Sequence, residues 1–529
     1  MNSLPRLNMY LRLVRDYRQF IKNPITIDKV KNIVQKRFEN RNRSFLSLVR
    51  NTIYKNKNSP YSKLLNIAGC EYGDLEKLVK SNGIEYTLGK LENNGVYIKS
   101  KEFRGKQAVI RGGKTLHFRE KDFENPFLTC HFETSTGASR SVGSRTMYDF
   151  EFLTANWSVY NFLMLDAFGA LNYPVIVWGP VLPGFGLAAV LAYMKINKTP
   201  LKWFTQVDTS FKPSLINRLG MNYMVYMARR LGIECPKPEY LPHNKLDRLA
   251  QLASETVIQY GGCCIDTYTS SAVLLCQSAK EKGVDIRGTK FFVGGEPITG
   301  AKRREIESVG AEICPAYSFM EAGYLGLGCF NPQYPDDIHV LTDSFALTKG
   351  NREAKIQHKP LDSLSFTTLL PSAPKILLNY ESGDIGLIKE NKCGCYFDML
   401  GYDIHISNII GHDKLTSQGM TFLGFDFLNV IDKILPAQFG GSPMDYQVIE
   451  EEDEHGHTRV IVVVNPNIGP IEEELLKSTL LSEVSKIGEA QRMMAQIWAN
   501  SGTVQVRREL PGYTKGGKIL PLHVKHRNG

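Results

Sequence analysis

The sequence has 529 residues, 43% of them hydrophobic and 22% charged, which is the composition of an ordinary globular protein of about two to four domains or subdomains. The formal net charge of +10 is concentrated near the amino terminus, because residues 1–60 hold 14 Lys and Arg against 3 Asp and Glu. Such a segment is typical of a solvated helical face or of a surface that meets an anionic partner, but no nucleic-acid-binding motif accompanies it, so we predict no nucleic-acid partner.

The first predicted unit, residues 1–125, is the helical and basic opening of a large domain. Apolar residues at helical spacing from Phe45 to Ile53 predict a helix, and residues 58–61 predict a turn. The amino terminus has no compact apolar segment followed by a cleavage site, so we predict no signal peptide. The ten cysteines are scattered and form no disulfide framework, which favours reduced thiols and a cytoplasmic location.

The second predicted unit, residues 126–412, alternates strand and helix patterns. Apolar runs at 173–178 and 290–293 predict buried strands, and residues 301–309 predict a helix. This alternation indicates an α/β core. The most apolar stretch, residues 175–194, is interrupted by glycine and proline, so we interpret it as a strand, a turn and a buried helix, and predict no membrane span.

The third predicted unit, residues 413–529, is a small α+β domain. Apolar runs at 445–449 and 460–464 flank an acidic turn and predict a hairpin. A helical pattern covers residues 471–487, and residues 504–506 predict a further short strand. The predicted fold class is therefore α/β, with a large core of packed sheets and helices and a small C-terminal domain.

Three segments of the core suit the binding of a nucleotide. Residues 131–141 are rich in hydroxyl and small side chains, which suit phosphate oxygens. The segment Gly294 to Pro297 ends a predicted strand, where ligands bind in open α/β sheets. The third segment contains Tyr317, which can stack on a base, and Glu321, which can hold Mg²⁺ against phosphates.

Two further segments complete the pattern. Asp384 lies in a glycine turn and can accept hydrogen bonds from a ribose diol. Residues 510–518 carry Lys518 on a glycine-rich loop, where its ammonium can reach a phosphate. Each of the five segments alone is typical of an ordinary turn or core element, but their order and spacing together are informative.

Together, the five segments resemble those of the adenylate-forming superfamily, which contains acyl-CoA synthetases, peptide-synthetase adenylation domains and luciferases. The likeness is closest to the phenylacetate–CoA ligase family, because the segment from Phe45 to Leu65 resembles the opening helices of that family. It covers roughly residues 40–525. It implies an AMP-forming acid–thiol ligase that uses ATP and Mg²⁺ to activate a small carboxylate as an acyl-adenylate. The acyl group then passes to a thiol, with coenzyme A favoured, after a movement of the C-terminal domain.

The resemblance also implies a role for each matching residue. Glu321 would be the Mg²⁺ ligand, and Lys518 would contact the carboxylate and the α-phosphate during adenylation. The residues implied in nucleotide binding run from the phosphate loop through the adenine and ribose sites to the hinge: Thr134, Ser135, Thr136, Gly137, Gly295, Glu296, Pro297, Tyr317, Ser318, Asp384 and His412.

Three of these segments depart from the family pattern. Thr134 stands where the phosphate loop has its central glycine, Met320 stands where a Thr or Ser touches phosphate, and His412 replaces an arginine. These departures leave open a catalytically degenerate protein that binds a nucleotide or an acyl group.

A zinc site is implied by the same branch of the superfamily. Some phenylacetate–CoA ligase relatives carry Cys and His ligands at positions that correspond to Cys329, His339, Cys393 and Cys395. Three thiolates and one imidazole form a common closed, structural zinc site, and Cys-x-Cys spacing supplies two thiolates from one turn.

The sequence leaves several points open. The acyl acceptor can be coenzyme A, an acyl carrier protein or a protein cysteine, for which Cys263 and Cys264 are the candidates. The substrate is expected to be an aromatic or medium-chain carboxylate, and the oligomeric state is open, a homodimer included. The residues that we expect to line the pocket for the acyl group are all aromatic: Phe292, Phe319, Tyr324, Trp203 and Phe204.

Overall fold

The computed structural model describes residues 3–135, 145–182, 184–207, 215–242, 245–356, 359–411, 414–417, 420–423, 430–453, 455–486, 489–512 and 522–525. Within these residues it confirms an α/β core followed by a small α+β domain. The strand predicted at 290–293 is Thr289–Gly294, and the predicted hairpin consists of Tyr446–Glu452 and Thr458–Val464.

The helices are numbered here in chain order. They are α1 Ser3–Lys22, α2 Ile27–Glu39, α3 Arg41–Val49, α4 Pro60–Ile67, α5 Tyr72–Asn82, α6 Ile84–Asn93, α7 Ser100–Phe103, α8 Phe150–Phe152, α9 Val159–Ala167, α10 Gly186–Lys195, α11 Leu215–Arg230, α12 Leu246–Tyr260, α13 Thr269–Lys282, α14 Gly300–Glu307, α15 Tyr396–Met399, α16 Leu435–Phe439, α17 Glu473–Ser485 and α18 Glu489–Ser501.

The strands are numbered in the same way. They are β1 Ile98–Lys99, β2 Val109–Arg111, β3 Lys114–Leu116, β4 Phe132–Ser135, β5 Arg145–Tyr148, β6 Val175–Trp178, β7 Lys202–Thr205, β8 Pro238–Tyr240, β9 Cys263–Tyr268, β10 Thr289–Gly294, β11 Glu312–Phe319, β12 Gly323–Gly328, β13 Ile338–Val340, β14 Phe345–Ile356, β15 Lys359–Thr368, β16 Tyr380–Glu390, β17 Ile404–Gly411, β18 Lys414–Ser417, β19 Met420–Leu423, β20 Tyr446–Glu452, β21 Thr458–Val464, β22 Val504–Arg508 and β23 Leu522–Lys525.

The main sheet has a buried parallel half. Within the described residues it contains 13 strands in the order β14-β15-β16-β17-β13-β12-β11-β10-β9-β6-β7-β8, with β1 beside β16. All pairs from β11 to β8 are parallel. Helices α9 and α10 cover one face and α12 and α13 cover the other. Because both faces are buried, β6 and residues 291–293 of β10 are continuous apolar runs with no polar alternation.

The other half of the sheet is antiparallel, from β12 to β14. Its apolar side chains join those of α3 to α6 in a second hydrophobic cluster. Asn379, immediately before β16, donates hydrogen bonds to the carbonyl oxygens of Leu88 and Val96 at 2.8 and 3.1 Å. The opening helices are thereby fixed to the sheet.

Helix α1 belongs to the core, although its sequence is strongly basic. Leu13 and Tyr17 are fully buried and Phe20 and Ile21 nearly so, which is the i, i+4, i+7, i+8 pattern of one helical face. The Lys195 ammonium donates to the carbonyl oxygens of Phe20 and Asn23 at 2.9 and 2.7 Å, which satisfies the carboxyl end of the helix. Arg12, Arg15 and Arg18 occupy the exposed face.

The C-terminal domain packs α17 and α18 on the sheet β22-β21-β20-β23. The turn that connects β20 and β21 contacts the core directly. Glu452 lies 3.4 Å from the Lys302 ammonium, and the His457 ring contacts the side-chain oxygen of Gln277. Across the ranges given above, we find no helix with the length and apolar character needed to cross a bilayer.

Candidate active site

A cleft of about 1740 Å³, its open mouth included, lies at the carboxyl ends of β9, β10 and β11. This is the place where open α/β sheets bind ligands. Residues separated by up to 89 positions in the chain come together in its lining. They are the predicted Gly295, Glu296, Pro297, Tyr317, Ser318, Glu321 and Asp384.

Glycine is required where β10 ends. Gly295 has a φ of +79°, in the left-handed region that favours glycine. A Cβ atom on Gly294 would lie 2.9 Å from the carbonyl oxygen of Ala316 in β11. The two glycines therefore let the chain turn away from the sheet and leave bare backbone beside the cleft.

The Glu296 side chain is anchored in a buried ionic cluster. Its carboxylate accepts a hydrogen bond from the Ser270 hydroxyl and lies 3.4 Å from the Lys302 ammonium. Burial alone disfavours a charged lysine, but the carboxylates of Glu296, Glu452 and Glu450 together raise the pKa of Lys302 above its ordinary value. The cluster fixes the Gly-Glu-Pro segment and connects it to the C-terminal domain.

Tyr317 and Asp384 are directly bonded. The Tyr317 hydroxyl donates to Asp384 Oδ2 at 2.7 Å, and burial together with the charge of Asp384 raises the Tyr317 pKa well above its usual value. The register between β11 and β12 shifts between Tyr317 and Ser318. Such a β-bulge changes the direction of side chains and is common beside active sites. Gly383, with φ +85°, makes the turn before Asp384. The sequence predicted both roles but not the bond between them.

Glu321 lies on a rigid turn between β11 and β12. It is only 3% exposed and lines the cleft. The Tyr148 hydroxyl donates to the carbonyl oxygen of Met320 at 2.8 Å. At Gly323 an added Cβ atom would lie 2.3 Å from Asn156 Oδ1, so this position tolerates no side chain. These contacts hold the backbone on both sides of the carboxylate.

The phosphate loop is described only at its two ends. Thr134 is buried in β4 and donates its hydroxyl to the carbonyl oxygen of Thr146 in β5 at 3.2 Å, so this hydroxyl stabilises the hairpin and does not line the cleft. Ser135 is the last residue of β4. Gly411 lines the cleft just before the predicted hinge. Four predicted residues lie outside the described part of the chain: Thr136, Gly137, His412 and Lys518.

The apolar end of the cleft is only partly as predicted. Phe292, Phe319 and Tyr324 line it. Trp203 and Phe204 do not; the prediction for these two was wrong. Both are buried in β7, beyond β6, and the Trp203 indole nitrogen donates to the carbonyl oxygen of Gly179 at 3.0 Å.

The lining residues that sequence reasoning missed include Met493 and Asp266. Met493, from α18 of the C-terminal domain, reaches the cleft from across the domain boundary. Asp266 lies in the middle of β9 and also lines the cleft. A single acid inside an otherwise apolar strand was the signal for Asp266, whereas nothing in the sequence pointed to Met493.

The two adjacent cysteines in β9 are poor thiol nucleophiles. Cys263 and Cys264 are fully buried. Burial raises the pKa of Cys263 to about 12 and that of Cys264 well above its usual value. Because the thiolate is the reactive form, neither residue suits acyl transfer. The expectation that Cys263 or Cys264 accepts the acyl group was therefore wrong.

A cluster of Cys and His side chains forms a second site, at the antiparallel side of the sheet. Cys329 Sγ lies 3.5 Å from Cys393 Sγ, and His339 Nε2 lies 3.6 Å from Cys393 Sγ and 3.0 Å from Cys395 Sγ. The four residues named as zinc ligands therefore lie close together, and three of them, Cys329, His339 and Cys393, have ligand atoms within 4.8 Å of one another.

Neighbouring groups orient the cluster. The carbonyl oxygen of Tyr402 lies 2.6 Å from His339 Nδ1, which leaves Nε2 as the ligand atom. His405, which the sequence analysis missed, lies near the same point; Asp337 holds its Nδ1 at 2.8 Å, and its buried Nε2 has no partner within the described residues. Hydrogen bonds from Cys329 and His339 lower the pKa of Cys395, whereas the hydrogen bond with Cys395 raises the pKa of Cys329 and burial raises that of Cys393.

Comparison with solved structures identifies the fold. The chain is similar to a 2-hydroxyisobutyryl-CoA ligase, crystallised with 2-HIB-AMP and CoA in the thioesterification state, with a TM-score of 0.53 and 12% identity over 92% of this chain and 90% of that one. The two proteins share a fold. At 12% identity, this likeness establishes the fold alone.

Weaker likenesses extend to two other proteins. A malonyl-CoA ligase ternary product complex has a TM-score of 0.41 and 10% identity over 71% of this chain and 70% of that one. An amide bond synthetase from Marinactinospora thermotolerans has a TM-score of 0.39 and 10% identity over 82% and 76%. These scores carry no argument. No protein-family model and no curated protein matches the sequence.

Proposed function

We propose that this protein is an AMP-forming acid–thiol ligase that activates a carboxylate with ATP and passes the acyl group to a thiol. The observation that supports the proposal most is the convergence of Gly295, Tyr317, Glu321 and Asp384 in one cleft. These residues come from separate segments, and their residue types match the adenine, ribose and Mg²⁺ sites that the resemblance implies.

In the proposed complex the nucleotide lies along the ends of β10 and β11. The bare backbone at Gly294 and Gly295 accommodates the planar base, against which the Tyr317 ring packs. The Asp384 carboxylate accepts hydrogen bonds from the ribose hydroxyls, and its bond to Tyr317 keeps it in position. Prearranged groups of this kind reduce the entropy lost on reaching the reactive geometry.

The proposed chemistry has two steps. An oxygen of the substrate carboxylate attacks the α-phosphorus, and the bond to pyrophosphate breaks, which leaves an acyl-adenylate. A thiolate then attacks the acyl carbon, and AMP leaves. Glu321 would hold Mg²⁺, which neutralises phosphate charge, and Lys518 would stabilise the same charge directly.

Coenzyme A is the acceptor we favour. The 2-hydroxyisobutyryl-CoA ligase that shares this fold was crystallised with CoA. An acyl carrier protein is the second candidate, because the exposed face of α1 carries Arg12, Arg15 and Arg18, and such a patch would attract an acidic protein. Raising the salt concentration should slow transfer to a carrier protein far more than transfer to coenzyme A.

We further propose that Cys329, His339, Cys393 and Cys395 hold a structural zinc ion. The donor set suits zinc, and the His339 tautomer is fixed for ligation by the Tyr402 carbonyl. His405 is an additional imidazole at the same point and can take the place of one thiolate. Four protein ligands leave no open position for substrate, so the ion would stabilise the fold and take no part in the reaction.

Pyrophosphate exchange tests the proposed ligase activity. Wild-type protein, incubated with Mg·ATP, labelled pyrophosphate and a panel of aromatic and medium-chain carboxylates, should form labelled ATP with at least one acid. Glu321→Gln should reduce the rate about 10²- to 10³-fold, because it removes the charge that would hold Mg²⁺. Lys518→Ala should abolish exchange.

The matched control is Glu307→Gln, which changes an exposed acid of α14 that is paired with Arg303. Its exchange rate should equal that of the wild type. If the wild type binds ATP but exchanges with no acid in the panel, the degenerate binding protein is the correct alternative. Equal losses of rate and of thermal stability in Glu321→Gln would assign that residue a structural role.

A further inference from the structure

Asp266 is an acid on an apolar face. It lies in the middle of β9, in register with Val177 of β6 and Phe292 of β10, and side chains alternate between the faces of a strand. Its neighbours on the same face of β9 are Cys264 and Tyr268. These two residues and the paired Val177 and Phe292 all belong to the hydrophobic cluster beneath α9 and α10. A carboxyl group here is costly to bury and contributes nothing to apolar packing.

The Tyr193 hydroxyl stabilises the ionised Asp266 carboxyl group in part, but one carboxyl oxygen is left without a partner. Asp266 is 7% exposed, and its Oδ2 atom has no hydrogen-bond partner among the described residues. The titratable groups that interact with it are Tyr193 of α10, Tyr324 of β12, and Tyr268 and Cys264 of its own strand. All four have raised pKa values and are uncharged at neutral pH, so none supplies a cation.

The position of Asp266 within the cleft is set by the strands. Asp266 is paired with Phe292, which precedes Gly294 by two residues, and two residues of a strand span about 6–7 Å. The Gly294–Pro297 segment is the proposed adenine site at the strand ends. Asp266 therefore lies deeper in the cleft than the nucleotide, at the level of the aromatic side chains Phe292 and Tyr324.

We propose that Asp266 selects the substrate: the protein activates carboxylic acids whose far end carries a hydrogen-bond donor, an amino or a hydroxyl group, and Asp266 accepts the hydrogen bond from that group. This rests on the proposed ligase function, whose acyl pocket it would occupy. Apolar side chains surround the carboxyl group, so the remainder of the substrate is apolar. An acid without a donor would leave Asp266 unpaired and would bind less tightly.

The first experiment measures binding without catalysis. Isothermal titration calorimetry compares hexanoic acid with 6-hydroxyhexanoic and 6-aminohexanoic acids, and 3-phenylpropanoic acid with its 4-hydroxyphenyl and 4-aminophenyl analogues. Wild-type protein should bind at least one donor-bearing acid about 10- to 100-fold more tightly than its parent. The hydroxyl and amino arms identify which donor is accepted. If the parents bind as tightly as their analogues, the proposal is wrong.

The second experiment uses substitutions. Asp266→Leu, of similar size but apolar, should lose the preference and bind the parent acids at least as well as the analogues. Cys264→Ala is the matched control, since it changes the same face of β9 but does not line the cleft, and the preference should persist. If Asp266→Leu fails to fold, Asp266→Asn is the alternative. It should reduce the preference for the amino-substituted acids specifically, because it removes the negative charge. A preference that survives both changes overturns the proposal.

Pyrophosphate exchange with the same acids separates the two proposals. If the wild type binds donor-bearing acids selectively but exchanges with none, the ligase function fails and the role of Asp266 in binding stands. If exchange occurs equally with parents and analogues, the ligase function stands and the role of Asp266 fails.

Discussion

The cleft and the Cys/His cluster are both assembled from distant segments, and each keeps a buried polar atom without a partner among the described residues, but the surroundings of the two atoms differ. In the cluster, His339 is bonded to the Tyr402 carbonyl through one nitrogen and faces two thiols with the other. In the cleft, Asp266 Oδ2 is buried without a partner. His405 Nε2, the unpaired atom of the cluster, lies beside thiol and imidazole atoms that suit a metal ion, whereas Asp266 Oδ2 lies among apolar side chains that suit the apolar part of a substrate.

The two sites also form in different ways. The pairing of β13 with β17 places His339 directly opposite His405, so the antiparallel register itself brings ligand atoms together. The cleft forms at the ends of parallel strands, where the chain leaves the sheet through glycine turns. Substitutions in the cluster should therefore reduce stability, and substitutions in the cleft should reduce function, with Asp266 as the sharpest case.

The largest expected effect is the loss of the metal. The double variant Cys393→Ser/Cys395→Ser should retain no zinc and should be less stable than the wild type by on the order of 5 kcal/mol, because structural zinc contributes its binding free energy to folding. Elemental analysis of protein purified without added metal measures the zinc, and calorimetry measures the melting temperature. The wild type should contain about one ion per chain.

The control for this test is Cys70→Ser/Cys130→Ser, which changes two partly buried cysteines outside the cluster. It should keep the full zinc content. A wild-type protein that contains no zinc and melts at the same temperature with and without a chelator would contradict the proposed site.

The second prediction concerns the pH dependence of stability. Burial raises the pKa of Asp266 from 3.8 to about 7, against a smaller opposing effect of the Tyr193 hydroxyl. Between these two pH values the native protein keeps the proton and the unfolded chain loses it, so stability falls as the pH rises from about 4 to about 7. Asp266→Asn has no such group and should gain up to about 4 kcal/mol relative to the wild type above pH 7, and nothing below pH 4.

Melting temperatures of the wild type and Asp266→Asn, measured from pH 4 to pH 8, test this prediction. The expected change in stability is opposite in sign to that for the Cys/His cluster, because the substitution of this cleft residue stabilises the protein. A difference that does not change between pH 4 and pH 8 would contradict the prediction, because it would show that folding does not shift the pKa of Asp266.

Much of the fold could be predicted because its elements are marked locally. The strand at 289–294 contains a buried apolar run at 291–293 that is followed by two glycines, and the hairpin of β20 and β21 is two apolar runs around a polar turn. The cleft residues were found because their segments occur in a recognisable order along the chain. What the segments could not give was the hydrogen bond between Tyr317 and Asp384, which joins strands that are not adjacent in the sheet.

The errors have a common physical origin in strand order. Trp203 and Phe204 were expected at the substrate because they are aromatic, but β7 lies on the far side of β6 from the cleft-lining strands β9 and β10. His405 was missed because only the pairing of β13 with β17 brings it opposite His339. Neither the order of strands nor their register is encoded by a local pattern, because each depends on contacts between distant segments.

The smallest expected effect separates nucleotide binding from catalysis within the cleft. Tyr317→Phe keeps the ring that would pack on adenine but removes the 2.7 Å hydrogen bond to Asp384. A hydrogen bond to a charged group contributes about 1.5–3 kcal/mol, so the KM for ATP should rise about tenfold or more, with little change in kcat. Pyrophosphate exchange at varied ATP concentration measures both constants.

Tyr54→Phe is the matched control, since it removes a hydroxyl that donates to the Cys70 carbonyl oxygen at 3.0 Å, outside the cleft. Its KM for ATP should equal that of the wild type. A lower KM in Tyr317→Phe would mean that Tyr317 competes with the ribose for Asp384, so that the bond must break on binding. A higher KM means that the bond aligns the carboxylate, which would make the cleft, like the Cys/His cluster, a site whose ligand atoms are oriented before the ligand arrives.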